Sequence, residues 1–184
     1  MKRNFKNILG VMGLLALAGV AGATAPSAGL TDSDIAAKAA HEIRMYPRYT
    51  IWDNISVRVN DGNLELAGQV SQPFKKADLQ RIAQRIPGVS SVTNELEVLP
   101  VSFQDDNLRI RIARAIYRDP ALSRYAIQAV PPIHIIVKNG HVTLEGVVNN
   151  DLEKQVAYMR ASTAGLSFGQ VQNNLRVENP KSKS

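Results

Sequence analysis

Arg111, Arg114 and Arg118 stand three and four residues apart, and Arg124 and Tyr125 follow closely. On a helix that spacing puts the three guanidiniums on one face. A row of cations suits anionic oxygens, and each basic residue near an anionic lipid surface contributes on the order of 1 kcal/mol. The same row also reads as a solvated basic face with local ion pairs to Asp105 or Asp119, each worth little. Both readings stay open at this level, and these five residues form the first candidate lipid-binding set. Arg44, Arg48 and Trp52 form a second set, crowded with Tyr46 and Tyr49. Rings beside cations suit a lipid interface, and they also suit a loop packed over a small core, the favoured of the two.

Other chemistries find little support. The chain has no cysteine, which excludes disulfides, Cys-bound metals and a Cys nucleophile. His41, His134 and His141 are too scattered for a short metal signature. His134 reads as a core-edge residue in an apolar strand, and His141 as a solvated turn residue. The carboxylates fall at caps and turns, and none sits beside a nucleophile–base pair. Gly62 and Gly68, like Gly140 and Gly146, lie in hairpins with no Lys-Ser/Thr following, so they read as structural turn glycines rather than phosphate loops. No catalytic residue, metal or cofactor is expected, and the chain reads as a non-enzyme.

The net charge is +6, but Lys2, Arg3 and Lys6 carry half of it. The remaining chain has 19 basic and 16 acidic residues, too even a balance for an electrostatic nucleic-acid surface. The first residues have another explanation. A basic start leads into an apolar run from Ile8 to Val20 and then Ala21-Gly22-Ala23. That order predicts a secretory signal peptide over residues 1–23, cleaved after Ala23. The apolar run is shorter than the roughly 20 residues of a membrane-spanning helix. The expected location is the periplasm, or outside the cell.

The elements that position the candidate residues come from an internal repeat. Val59, Gly62, Leu66, Gly68 and Val70 recur in order as Val137, Gly140, Leu144, Gly146 and Val148. Downstream, Val92, Asn94, Leu96 and Val98 recur as Val171, Asn173, Leu175 and Val177; upstream, Asp34-Ile35 matches Asn107-Leu108. Each copy predicts a helix with apolar residues at helical spacing, two alternating strands around a tight turn, a second helix and a last strand. Asp32, Ser33 and Asp34 are the expected caps of the first helix. Leu152, Val156 and Met159 are the expected apolar residues of the last one. The predicted fold is α+β: two tandem small αββαβ domains over residues 31–100 and 103–179, each a three-stranded mixed sheet with two helices packed on it. Residues 180–184 are a polar tail. Two places predict looser geometry in the second copy: the connection holding Pro131-Pro132, and the Thr163–Gly169 stretch that replaces Pro87-Gly88-Val89.

This pattern resembles the BON family, named for bacterial OsmY and nodulation proteins. The resemblance rests on Asp34-Ile35, on the hairpin Val59-x-x-Gly62-x-Leu64-x-Leu66-x-Gly68-x-Val70, on Gly88-Val89-x-x-Val92-x-Asn94-x-Leu96, and on their second-copy counterparts. A tandem pair behind an export signal is similar to periplasmic OsmY-like proteins. The resemblance implies a non-enzymatic module that associates with anionic phospholipid membranes and supports envelope integrity or osmotic-stress tolerance. The alternative is a protein-interaction module in a cell-envelope assembly, with envelope proteins as partners and no direct lipid contact. Asp34 to Pro100 holds eight basic and eight acidic residues, whereas Gln104 to Asn179 holds nine and seven. Local clustering of Arg109, Arg111, Arg114, Arg118 and Arg124 therefore points to the second copy as the one that meets a membrane.

Overall fold

The computed structural model of the chain describes residues 30–164 and 170–178. The expected signal peptide and its cleavage point, the polar tail and most of the Thr163–Gly169 stretch lie outside the described residues.

The first unit begins with α1 (Asp32–Arg44). Thr31, one residue earlier than the expected caps, accepts from the Asp34 N–H, and Asp34 accepts in return from the Thr31 N–H. This reciprocal box satisfies two of the helix's orphan donors. The Thr31 hydroxyl also donates to the Asp34 carboxylate and holds its pKa below the ordinary value. The chain continues through β1 (Asn54–Asn60), β2 (Asn63–Val70), α2 (Pro73–Ala83) and β3 (Ser91–Val98). β1 runs antiparallel and β3 parallel to the central β2, giving a mixed three-stranded sheet. Ile35, Ala39 and Ile43 of α1 and Leu79 and Ala83 of α2 meet Leu64, Leu66 and Leu96 in one core. Both helices therefore cover the same sheet face, as period-2 burial in the strands requires.

The second unit repeats the plan with α3 (Phe103–Tyr117), β4 (Ile133–Lys138), β5 (His141–Val148) and α4 (Asp151–Ala164). Its last strand is broken into β6 (Val171–Asn173) and β7 (Arg176–Val177), both parallel to β5. The core again combines two helices and one sheet face, around Leu108, Ile112, Ile116, Ile135, Leu144 and Ala157.

Two expectations change. The inner face of α4 is Glu153, Ala157 and Ala161, while Leu152 is 69% and Met159 49% exposed. Small alanines let α4 approach α3 and the sheet closely, which turns the larger apolar side chains outward. The connection before β4 is not loose throughout: it forms a 3-10 helix over Ser123–Ile127 that sends Tyr125 into the core.

Both hairpins turn through two residues with positive φ, Asp61 and Gly62 in one and Asn139 and Gly140 in the other. That is the backbone twist a two-residue hairpin loop needs. Each turn is clamped by a carboxylate from the preceding helix. Asp32 accepts from the Asp61 and Gly62 N–H groups at 2.7 and 2.9 Å, and Asp105 from those of Asn139 and Gly140, both at 2.8 Å. Asn94 and Asn173 also play matching parts: each donates to a carbonyl of the second helix, Lys76 or Lys154, and accepts from a backbone N–H two residues on.

The units meet through the loop after α1. The Ile135 N–H at the edge of β4 donates to the Ile51 carbonyl at 2.7 Å, and Ile51 and Trp52 pack against the second core. Tyr49 stacks at 5.3 Å on His134, and Lys138 pairs with Glu97 at 2.5 Å. β4 is therefore buried on both faces from Ile133 to Val137, whereas the equivalent β1 alternates.

Candidate functional site

α3 owes its position to Leu108, Ile112 and Ile116, which recur every four residues and fix its inner face. At about 100° per residue Arg111, Arg114 and Arg118 then fall on the far side. All three are exposed. Arg114 and Arg118 have no ion-pair partner among the described residues, so the helix presents cationic charge to solvent.

The rest of the first candidate set lies elsewhere. Tyr125 is only 4% exposed, and its hydroxyl donates to Glu153 at 2.5 Å and accepts from the Asn149 N–H at 2.9 Å. It sits in the core, where it cannot touch a headgroup. Arg124 pairs with that same Glu153 carboxylate and lies 5.4 Å over the Tyr125 ring. Arg109, counted in the basic cluster, is buried, with its guanidinium donating to the Val137 carbonyl at 2.6 Å and pairing with Asp106. Its task is to tie α3 to β4.

Asp105 does not pair with the exposed row, being occupied with the second hairpin. Asp119 pairs with Arg160 at 2.6 Å, not with α3. The Ala121 N–H and Arg160 hold the Asp119 carboxyl below its usual range. The two carboxylates expected to neutralise the row are therefore both committed elsewhere.

The second set also divides. Trp52 belongs to the seam between units, Arg48 lies 4.9 Å over the exposed Phe74 ring, and Arg44 faces a cleft between the units. Tyr46 packs in the first core, and its hydroxyl donates to Asp78 at 2.5 Å. The loop aromatics thus follow the packing alternative. Gly62, Gly68, Gly140 and Gly146 all have positive φ. At Gly68 and Gly146 a Cβ would overlap a carbonyl oxygen of the neighbouring strand or its lead-in, that of Asn54 and Pro132 respectively. These two serve close backbone approach rather than a turn.

One buried polar constellation was not foreseen. Lys75 and Asp53 form a buried ion pair at 2.6 Å, and Asp53 also accepts from the Thr50 and Ser71 backbone N–H groups. At the matching position of the second unit stands Glu153, with Arg124 and Tyr125 as its partners. The polarity on the helix is reversed, and a buried helix charge is paired in both units, although Arg124 itself is exposed. Aligning Lys75 with Glu153 five residues beyond Val70 and Val148 marks the site in sequence, but the partners come from unaligned loops.

A family model for the BON domain matches residues 31–100 and again residues 104–179. This chain belongs to the BON family. The tandem BON units account for both αββαβ repeats, and BON domains occur in periplasmic and other envelope proteins. No curated protein matches the chain. Two solved structures are similar to it in part. One is CdsD, a structural protein of the type III secretion system of Chlamydia trachomatis, at 15% identity over 81% of this chain and 94% of that one, with a TM-score of 0.28. The other is the C-terminal domain of CdsD, at 13% identity over 80% and 99%, with a TM-score of 0.29. Likeness at those scores carries no weight for fold or function. Among the described residues no helix is long and apolar enough to cross a membrane.

Proposed function

We propose that this tandem BON protein is an exported, non-enzymatic binding module that docks on anionic phospholipid surfaces of the cell envelope, in support of envelope integrity under osmotic stress. The observation that carries the reading is the outward face of α3, where Arg111, Arg114 and Arg118 stand exposed on a helix whose other side is anchored in a core. A rigid helix holds its cations at fixed spacing, so little ordering entropy opposes multipoint contact with headgroups. The second unit therefore dominates membrane contact, through these three residues rather than through Arg124, Tyr125 or Arg109.

Liposome flotation of the mature protein tests this. Binding is expected to vesicles containing phosphatidylglycerol or cardiolipin, to fall with added salt, and to be negligible on neutral phosphatidylcholine. Replacing Arg111, Arg114 and Arg118 together by Gln should weaken binding by about 100-fold, at about 1 kcal/mol per cation, with an unchanged circular dichroism spectrum. Equal, negligible flotation on both vesicle types at low salt overturns the reading. The exposed Leu152 and Met159 of α4 favour a second reading, docking of an envelope protein. A stable partner from detergent-free periplasmic extract, lost on Leu152→Ser, would support it.

A further inference from the structure

The two units leave a cleft of about 860 Å³ between them, within the usual range of small-molecule sites. α1 and β1 form one wall and the connection before β4 the other, with β5 and β7 closing it. Its apolar lining includes Ala36 and Ala40 from the first unit and Val130 and Val147 from the second. Two cations line it, Arg44 from the first unit and Arg176 from the second. Neither has an ion-pair partner among the described residues. Glu145 is the one carboxylate in the lining, and it already accepts from the Asn174 amide at 2.7 Å. His134, 8% exposed, also lines the cleft, and its Nδ1 is buried without a hydrogen-bond partner.

The cleft thus combines an apolar strip with an excess of positive charge. We propose that it binds an amphipathic organic anion: one acidic head between Arg44 and Arg176, with an apolar chain lying along the alanine–valine strip. A free headgroup would leave the strip wet, and a neutral amphiphile would leave both guanidiniums unmatched. The site shares no residue with the exposed row of α3, so it stands whether or not the protein docks on membranes.

Titration calorimetry of the full mature protein with dodecanoate below its micelle concentration tests the proposal, with acetate and neutral dodecyl maltoside as controls. Saturable one-to-one binding of dodecanoate alone is expected. Arg44→Gln and Arg176→Gln should each weaken it about tenfold or more, the scale of a charge-assisted hydrogen bond. Ala129→Trp, at an exposed position in the cleft wall, should block it by filling the space. Arg111→Gln/Arg114→Gln/Arg118→Gln should leave it unchanged, which separates this site from membrane docking. The proposal is overturned if dodecanoate gives no saturable heat, if acetate or dodecyl maltoside binds equally well, or if folded Arg176→Gln and Ala129→Trp variants both bind like the wild type.

Discussion

A single carboxylate at the start of the first helix organises each hairpin. Asp105 is the more buried of the two, and it satisfies two turn N–H groups that face away from the sheet ladder. Removing it leaves Asn139 and Gly140 without their acceptor, in a turn that already needs two positive φ values. Asp105→Ala should therefore lower unfolding stability by about 1–3 kcal/mol, the range for losing hydrogen bonds to a charged and here buried carboxylate. Asp32→Ala should cost less, because the Asp32 carboxylate is itself only half-buried and water competes for the same N–H groups. Urea unfolding of the two variants measures the difference, and equal losses would show that burial does not set the cost. Sequence alignment already placed Asp32 and Asp105 at equivalent positions, two residues before Asp34 and Asn107. It did not reveal their partners, because a helix N-terminus offers a carboxylate a nearer and equally plausible task as a cap.

At the scale of elements, the central strand of each sheet is where the repeat is most strictly kept. β2 and β5 carry pairs on both sides, and each has a glycine where the first strand begins. Gly146 has φ of 113°, a conformation unfavourable for any side chain, and a Cβ would overlap the Pro132 carbonyl oxygen. Backbone cannot yield there as a flexible side chain could. Gly146→Ala should destabilise the protein by about 3 kcal/mol or more, in the upper range of single substitutions. A fall in Tm of several degrees checks it, and a neutral result would mean that the lead-in to β4 moves freely. The face of α4 was misread for a related reason. Helical periodicity singles out large apolar residues, but contact with α3 selected the alanines, whose small size permits close packing. Only the neighbouring helix could reveal that.

At the scale of the molecule, the two units are joined by more than a linker. The Ile51–Ile135 hydrogen bond, the Trp52 contact and the Tyr49–His134 stack lie in one seam. Burial there lowers the pKa of His134 below its ordinary value, against smaller opposing effects of the Asp53 and Thr50 carbonyls and the Asp53 charge. The sign follows from linkage: the folded state binds this proton less readily than the unfolded state does. Stability from neutral His134 is fully present above about pH 6.5, its unfolded value, and is lost as pH falls below it toward the lowered folded value. The wild type should therefore show a drop in Tm between about pH 7 and pH 5 that is smaller in His134→Phe, a variant with a ring for Tyr49 but no proton to gain. Identical pH profiles would remove His134 from the seam's energetics. Tyr49 stays neutral throughout, since burial pushes its hydroxyl up to about 12.

By itself the sequence determined the repeat, the αββαβ order, the hairpin turns and the helix that carries Arg111, Arg114 and Arg118. These are written in local signals: positive-φ turn residues, period-2 strands, and the four-residue spacing of Leu108, Ile112 and Ile116. Tertiary structure alone decided which charges remain available. Arg109, Arg124 and Tyr125 look like neighbours of the exposed row, yet a carbonyl on β4 and a carboxylate on α4 engage them, burying Arg109 and Tyr125 and pairing Arg124. Their partners lie 28 or 29 residues away along the chain, beyond any spacing rule. The cleft between Arg44 and Arg176 is more remote still, since it exists only because Ile51 and Trp52 hold one unit against the other. Local periodicity reports which way a side chain points from its own element, whereas burial and pairing depend on what the rest of the chain brings to meet it.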